Sequence, residues 1–219
     1  LVYILKNNKP IRIIYNNGNA KKTILVDITK SIEELIPIIF EKLNLPMVAG
    51  YTLFSIEDPQ NPRPLDTRFS IPEQDCTKYD EMIFSRRFYV ISGEVLQSDQ
   101  AAYTTCCDCK KLLIEPNSSI TINEDEAIEM AILFMYAEAN DPKEVLQGIN
   151  DKKFNYDEMI PSNIKRDKKF DAKFRKAIQK FKPLTKRQAL KAYLGRIRKF
   201  QGFGEESFTG IFTDISFGQ

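Results

Sequence analysis

EMIFSRRFYVISGEVLQSDQ, residues 81–100, changes its hydrophobic period half way along. The first part alternates as a strand with one buried face does, with Phe84 and its apolar neighbours turned inward. A long final strand is expected over residues 80–91. From about residue 96 the spacing becomes helical, and residues 99–114 read as a helix stopped by Pro116 and "NSS". A strand that gives way to a run of helices divides the chain into a sheet-forming half and a helical half.

Upstream of the change, IRIIY (11–15) and TILVDI (23–28) are β-rich runs on either side of NNGN (16–19). Asn-Gly supplies the positive φ that a tight hairpin turn needs. Next comes SIEELIPIIFEKLN, where Ser31 and Glu34 have capping-box spacing. Ile32, Leu35, Ile36, Ile39, Phe40 and Leu43 share one side at helical spacing. Pro37 lies inside this helix and should remove one hydrogen bond and kink it. YTLFSIE (51–57) reads as a strand and DPQNPRP (58–64) as a turn-rich loop. Hairpin, helix, strand, short elements and final strand follow one another in the order of a ubiquitin-like β-grasp domain.

Downstream, Asn123 and Glu126 cap a second helix whose Ile128, Ala131, Ile132, Met135 and Ala139 share a face. DPKEVLQGI gives a short third helix. FDAKFRKAIQKF (170–181) puts Phe170, Phe174, Ile178 and Phe181 on one side and basic residues on the other. Thr185 caps the last helix, with Leu190, Tyr193, Leu194, Ile197 and Phe200 as its buried stripe. GFGEESFTGIFTDI then turns strand-like.

The chain has 219 residues, 42% apolar and 28% charged, enough to bury a core. It opens without Met or a signal-peptide layout, which reads as a piece of something longer. No apolar run approaches the roughly 20 residues that span a bilayer. There is no His and no Trp, so the default general base and the commonest metal ligand are missing. A non-enzyme with no catalytic residues, cofactor or metal is expected. The net charge of +2 hides a sharp polarity: residues 161–200 carry 15 Lys/Arg against Asp167 and Asp171, or +13, and the remainder −11. That asymmetry calls for an anionic partner on one face.

TTCCDCKK (104–111) holds three of the four cysteines. Structural zinc needs four converging thiolate or imidazole ligands. Cys107 points about 100° away from Cys106 on a helix, Cys76 lies 30 positions upstream, and no His completes a set. Cys106, Cys109 and Leu113, at i, i+3 and i+7, are instead expected as a buried helix stripe. Clustered rather than spaced cysteines also fit a reducing, cytosolic compartment.

The element order resembles that of FERM domains, and the residues are most similar to the talin head. EMIFSRRFYVISGEVLQSDQ is similar to the junction of the first and second FERM lobes. FNYDEMIPSNIKRDKKFDAKFRKAI (154–178) resembles the Leu-Pro segment, basic loop and basic helix of the second lobe. AYLGRIRKFQGFGEESFTGIF (192–212) resembles its last helix running into a third lobe. The resemblance implies an α+β chain. A ubiquitin-like β-grasp lobe would cover residues 1–95 and an all-α acyl-CoA-binding-protein-like bundle 96–204. A truncated third lobe would start at 205–219. Talin's long basic insertion in the first lobe has no counterpart near the short DPQNPRPLDTRF.

By position after the Ile-Pro step, Lys165, Arg166, Lys168, Lys169, Lys173, Arg175 and Lys176 match the basic membrane-facing patch of the talin second lobe. Lys180 extends the same helix. The resemblance thus implies a membrane–cytoskeleton adaptor of cell adhesion and actin linkage, peripheral at the cytoplasmic face of the plasma membrane. It would dock on phosphoinositide-rich anionic lipid, each cation near the leaflet contributing ~1 kcal/mol. Cytoskeletal or receptor-tail proteins would bind through the missing third lobe. Nucleic acid is not an expected partner: Phe170, Phe174 and Phe181 sit at core spacing, and no nucleic-acid module signature is present. The alternative is a protein-interaction module, as in myosin tails and signalling FERM proteins, reading a peptide or a small GTPase. Lys6, Lys9 and Arg12 would then serve the strand edge. In Ser85–Val90 (SRRFYV) the basic pair is expected to contact the helical half.

Overall fold

The computed structural model describes residues 7–15, 18, 20–59, 62–76, 80–89, 98–116, 118–139, 141–150 and 156–204. Strands β1 (Asn8–Tyr15) and β2 (Ala20–Asp27) form an antiparallel hairpin in which Tyr15 faces Ala20. Gly18, at φ 87°, donates its N–H to the Tyr15 carbonyl and closes the turn. Its three Asn neighbours lie outside the described residues.

Helix α1 (Ile32–Leu43) starts at Ser31 with the expected capping box to Glu34. Two more of its first-turn donors are satisfied from a loop: Ile32 N–H bonds the Phe69 carbonyl and Glu33 N–H that of Thr67. The helix runs on through Pro37, which is exposed. The carbonyl that Pro37 leaves without its i+4 donor belongs to Glu33, itself an exposed residue.

Strands β3 (Tyr51–Ser55), β4 (Arg63–Pro64) and β5 (Glu81–Arg86) complete the sheet in the order β2-β1-β5-β3-β4. β1 and β5 are parallel and the other pairs antiparallel. α1 lies across the sheet, so Leu35, Ile39 and Phe40 share a core with Ile11, Ile13, Ile24, Leu53 and Phe84. Three expectations change. β1 lies between β2 and β5, with Lys9 paired to Val26 and Arg12 to Thr23 and Glu81, so it is not the strand edge expected of Lys9 and Arg12; Lys6 lies outside the described residues. The loop over 58–64 ends in the two-residue strand β4, paired to Phe54 and Ser55. The last strand stops at Arg86 because the Arg87 and Phe88 N–H groups both turn to one carbonyl, that of Gly50. Gly50 has φ 86°, and a Cβ there would overlap the Phe88 carbonyl, so the site requires glycine. Residues 90 and 91 lie outside the described set.

The second half is helical: α2 (Asp99–Ile114), α3 (Glu124–Glu138), α4 (Pro142–Asn150), α5 (Lys168–Lys180) and α6 (Lys186–Ile197). Capping boxes open α3 at Asn123/Glu126 and α6 at Thr185/Gln188. α3 is buried on every side, from Ala127 and Ile128 through Met130–Ala137, rather than on one face. From Met130 to Ala137 its sequence is apolar on every side, while Glu129 before that run stays partly exposed, and such a helix goes to the centre of a bundle. Among the described residues no helix is long and apolar enough to cross a membrane. The strand-like segment over 205–219 lies outside the described residues.

Candidate functional site

α5 exists because its two faces want different solvents. Asp167 caps it, accepting from the N–H groups of Lys169 and Phe170 at 2.9 and 3.1 Å. Those backbone donors hold the Asp167 carboxyl below the usual carboxylate range. Phe170, Phe174 and Ile178 point into the core and are each at most 2% exposed. Burying each contributes about 1.5–3 kcal/mol. The opposite face carries Lys168, Lys169, Arg175, Lys176 and Lys180, all exposed. None of these five makes an ion pair among the described residues. Lys165 is also exposed and approaches Asp167 at 3.7 Å; Arg166 is exposed beside it.

The rest of the +13 segment is divided, because acids from elsewhere in the chain reach into it. Lys173 donates to Glu124 at 2.7 Å and lies 2.9 Å from Asp125, both in the first turn of α3. The hydrogen bond to Glu124 raises the Lys173 pKa. Arg196 reaches Glu129 at 3.1 Å and Glu126 at 3.7 Å, and Arg187 lies 3.6 Å from Asp99. The Lys186 ammonium sits over the Tyr103 ring at 5.0 Å. Of the eight expected anion-binding residues, then, Lys173 stands apart: it ties α5 to α3. Its partners lie 49 and 48 positions away, beyond the reach of local pattern.

A second charged feature joins the two halves. Met82, Phe84 and Arg86 alternate onto the buried face of β5, so strand period alone turns Arg86 inward. On α2, Ala101, Thr105 and Asp108 fall at i, i+4 and i+7, one helical step round from the Cys106/Cys109/Leu113 stripe. The two rows meet. Arg86 Nε donates to Asp108 Oδ2 at 2.9 Å, Nη2 to Thr105 Oγ1 at 3.0 Å and Nη1 to the Ala49 carbonyl at 3.0 Å. The Tyr51 hydroxyl adds a bond to Asp108 Oδ2 at 2.8 Å, and the guanidinium lies over the Tyr51 and Tyr89 rings. Burial pushes the Asp108 carboxyl up, against the pull of Arg86 and Tyr51. The expected contact of the basic pair with the helical half is therefore made by Arg86. Asp108 was not read from the sequence; the i, i+4, i+7 row was the available signal.

Cys106, Cys109 and Leu113 form the expected stripe, each at most 1% exposed. Burial raises both thiol pKa values, that of Cys109 to about 12. Cys107, half-buried, is pushed up to about 11.

No protein-family model and no curated protein matches the chain. Solved structures do resemble it. The MyTH4-FERM MF2 domain of Dictyostelium discoideum myosin VII (mutant 1) is 11% identical with a TM-score of 0.63, covering 89% of this chain and 42% of that one. The FERM and C-terminal domain complex of Drosophila merlin is 10% identical with a TM-score of 0.60, covering 87% and 65%. The human myosin 7b C-terminal MyTH4-FERM domain, in complex with harmonin-a PDZ3, is 17% identical with a TM-score of 0.57, covering 90% and 43%. The chain thus spans between two-fifths and two-thirds of the length of these structures. At such identities the likeness is one of fold, and that fold is FERM-like: a sheet lobe followed by a helical lobe.

Proposed function

We propose that this chain is the first two lobes of a non-enzymatic FERM adaptor that docks on anionic, phosphoinositide-rich membrane at the cytoplasmic face. The talin-like link to adhesion and actin belongs to the same reading. One observation carries it: α5 presents Lys168, Lys169, Arg175, Lys176 and Lys180 to solvent with no intramolecular ion pair among the described residues. Cations that stabilise nothing at home are available to phosphate oxygens. Lys165 and Arg166 extend the surface, and Lys173 contributes less because Glu124 and Asp125 already hold it. At ~1 kcal/mol per engaged cation, five or six give recruitment on the micromolar scale.

The test is co-sedimentation with vesicles of phosphatidylcholine alone and with added phosphoinositide. Binding should require the phosphoinositide and vanish when Lys168, Lys169, Arg175 and Lys176 are reversed to Glu. Unchanged binding by that variant would sink the proposal.

The second reading is a protein-interaction module. It is favoured by the fold neighbours, two of which were solved as complexes with a protein domain, harmonin-a PDZ3 and the merlin C-terminal domain. A pulled-down protein partner insensitive to salt, with no vesicle binding, would decide for it.

A further inference from the structure

Beside the exposed face of α5 lies a feature of different shape. A cleft of about 560 Å³ opens between the end of α5, the connection after it and the outer side of α6. Leu133, Phe181 and Leu184 give it an apolar floor, with Ala192 and Gly195 of α6 along one wall. Lys180, Lys182, Arg198 and Lys199 stand around it and make no ion pair among the described residues. Its one acid, Glu129, is already engaged by Arg196.

Gly195 is the second clue. It sits inside α6, where glycine weakens a helix relative to alanine. Its φ is not positive, and nothing lies within 4 Å of where a Cβ would be. Neither conformation nor internal packing calls for glycine, whereas close approach of a second body to the helix backbone does.

We infer that this cleft is a docking groove for an acidic segment of a partner protein that carries an apolar anchor side chain. The anchor lies against Leu133, Phe181 and Leu184, its backbone runs close over Gly195, and its carboxylates meet Lys180, Lys182, Arg198 and Lys199. Charge complementarity selects the acid, and shape selects a peptide over a bilayer. A flat leaflet meets the convex face of α5, not a concavity. The groove therefore goes beyond the membrane-docking reading, and the two share only Lys180.

The test uses the whole chain and fluorescence anisotropy with short labelled peptides in which Asp and Glu flank one central Leu, Phe or Met. The same peptides with Ala at the centre are the reference. Anchored peptides should bind about tenfold tighter than the Ala versions. The Lys182→Glu, Arg198→Glu, Lys199→Glu triple variant and Gly195→Leu should each lose that binding. Both should still co-sediment with phosphoinositide vesicles, and a cooperative urea transition should show that they fold. Gly195→Ala should raise the melting temperature by about 2–4 °C. Equal binding of anchored and Ala peptides overturns the inference, as does unchanged peptide binding by Gly195→Leu. Loss of vesicle binding by the triple variant overturns it too, by making the cleft part of the lipid surface. Failure of the unmodified chain to bind vesicles counts against the membrane reading alone and leaves the peptide result standing.

Discussion

The outer face of α5 and the joint at Arg86 use the same residue types to opposite ends. On α5, five cations face water with no ion pair among the described residues, and the helix is held by Phe170, Phe174 and Ile178 behind them. At the joint a single guanidinium, with a side chain 0% exposed, is met by a carboxylate, a hydroxyl, a carbonyl and two rings. A buried charge needs every partner it has, while a solvated one needs none. Basic residues in this chain thus differ in burial and pairing far more than in how many others lie nearby.

The contrast breaks most visibly at Asp108. Asp108→Ala strands Arg86 in the interior and should cost about 3–5 kcal/mol, read by urea unfolding. Replacing both partners, Arg86→Met with Asp108→Leu, should recover most of that loss. A single-variant cost no larger than that of a surface pair would show the joint to be solvated. The opposite limb is the quadruple reversal on α5, Lys168, Lys169, Arg175 and Lys176 to Glu. It should leave the urea midpoint nearly unchanged, since no ion pair is lost.

How far these roles could be read in advance depended on sequence distance. The capping boxes at Ser31/Glu34 and Asn123/Glu126 are local rules, and they fixed where α1 and α3 begin. The Cys106/Cys109/Leu113 stripe followed from helical spacing alone. Other features arose from groups brought together by the fold. Gly50 ends β5 through one carbonyl 37 and 38 positions from its donors. Arg86 was expected to touch the helical half, but its partner is set by where α2 docks. The +13 of residues 161–200 looked short of acids because Glu124, Asp125, Glu126 and Glu129 lie far upstream. The free cations on α5 were legible; the tying-down of Lys173 was not.

That last difference gives a finer test within one helix. Lys176→Ala should weaken vesicle binding more than Lys173→Ala, because Lys173 is already held by α3. Equal losses would mean that the ion pairs open at the membrane. The smallest expected effect concerns the thiols. With a thiol reagent at mildly alkaline pH, half-buried Cys107 should react ahead of Cys106 and Cys109. Because burial raises the pKa values of these three thiols in the fold, they stay slow until pH nears those values. Unfolding should return all of them to ordinary reactivity near pH 8.5. Fast labelling of Cys106 in the folded chain would contradict the buried stripe.

The proposed membrane surface on α5 rests on where its cations lie, not on total charge. The measurement that meets it head on is phosphoinositide-vesicle co-sedimentation of two charge-matched variants. One carries Glu at Lys168, Lys169, Arg175 and Lys176; the other carries Glu at the exposed Lys9, Lys21, Lys22 and Lys42 of the sheet lobe. The first should lose binding and the second keep most of it. Equal loss in both would reduce the effect to net charge, and full binding by the first would place the membrane contact elsewhere.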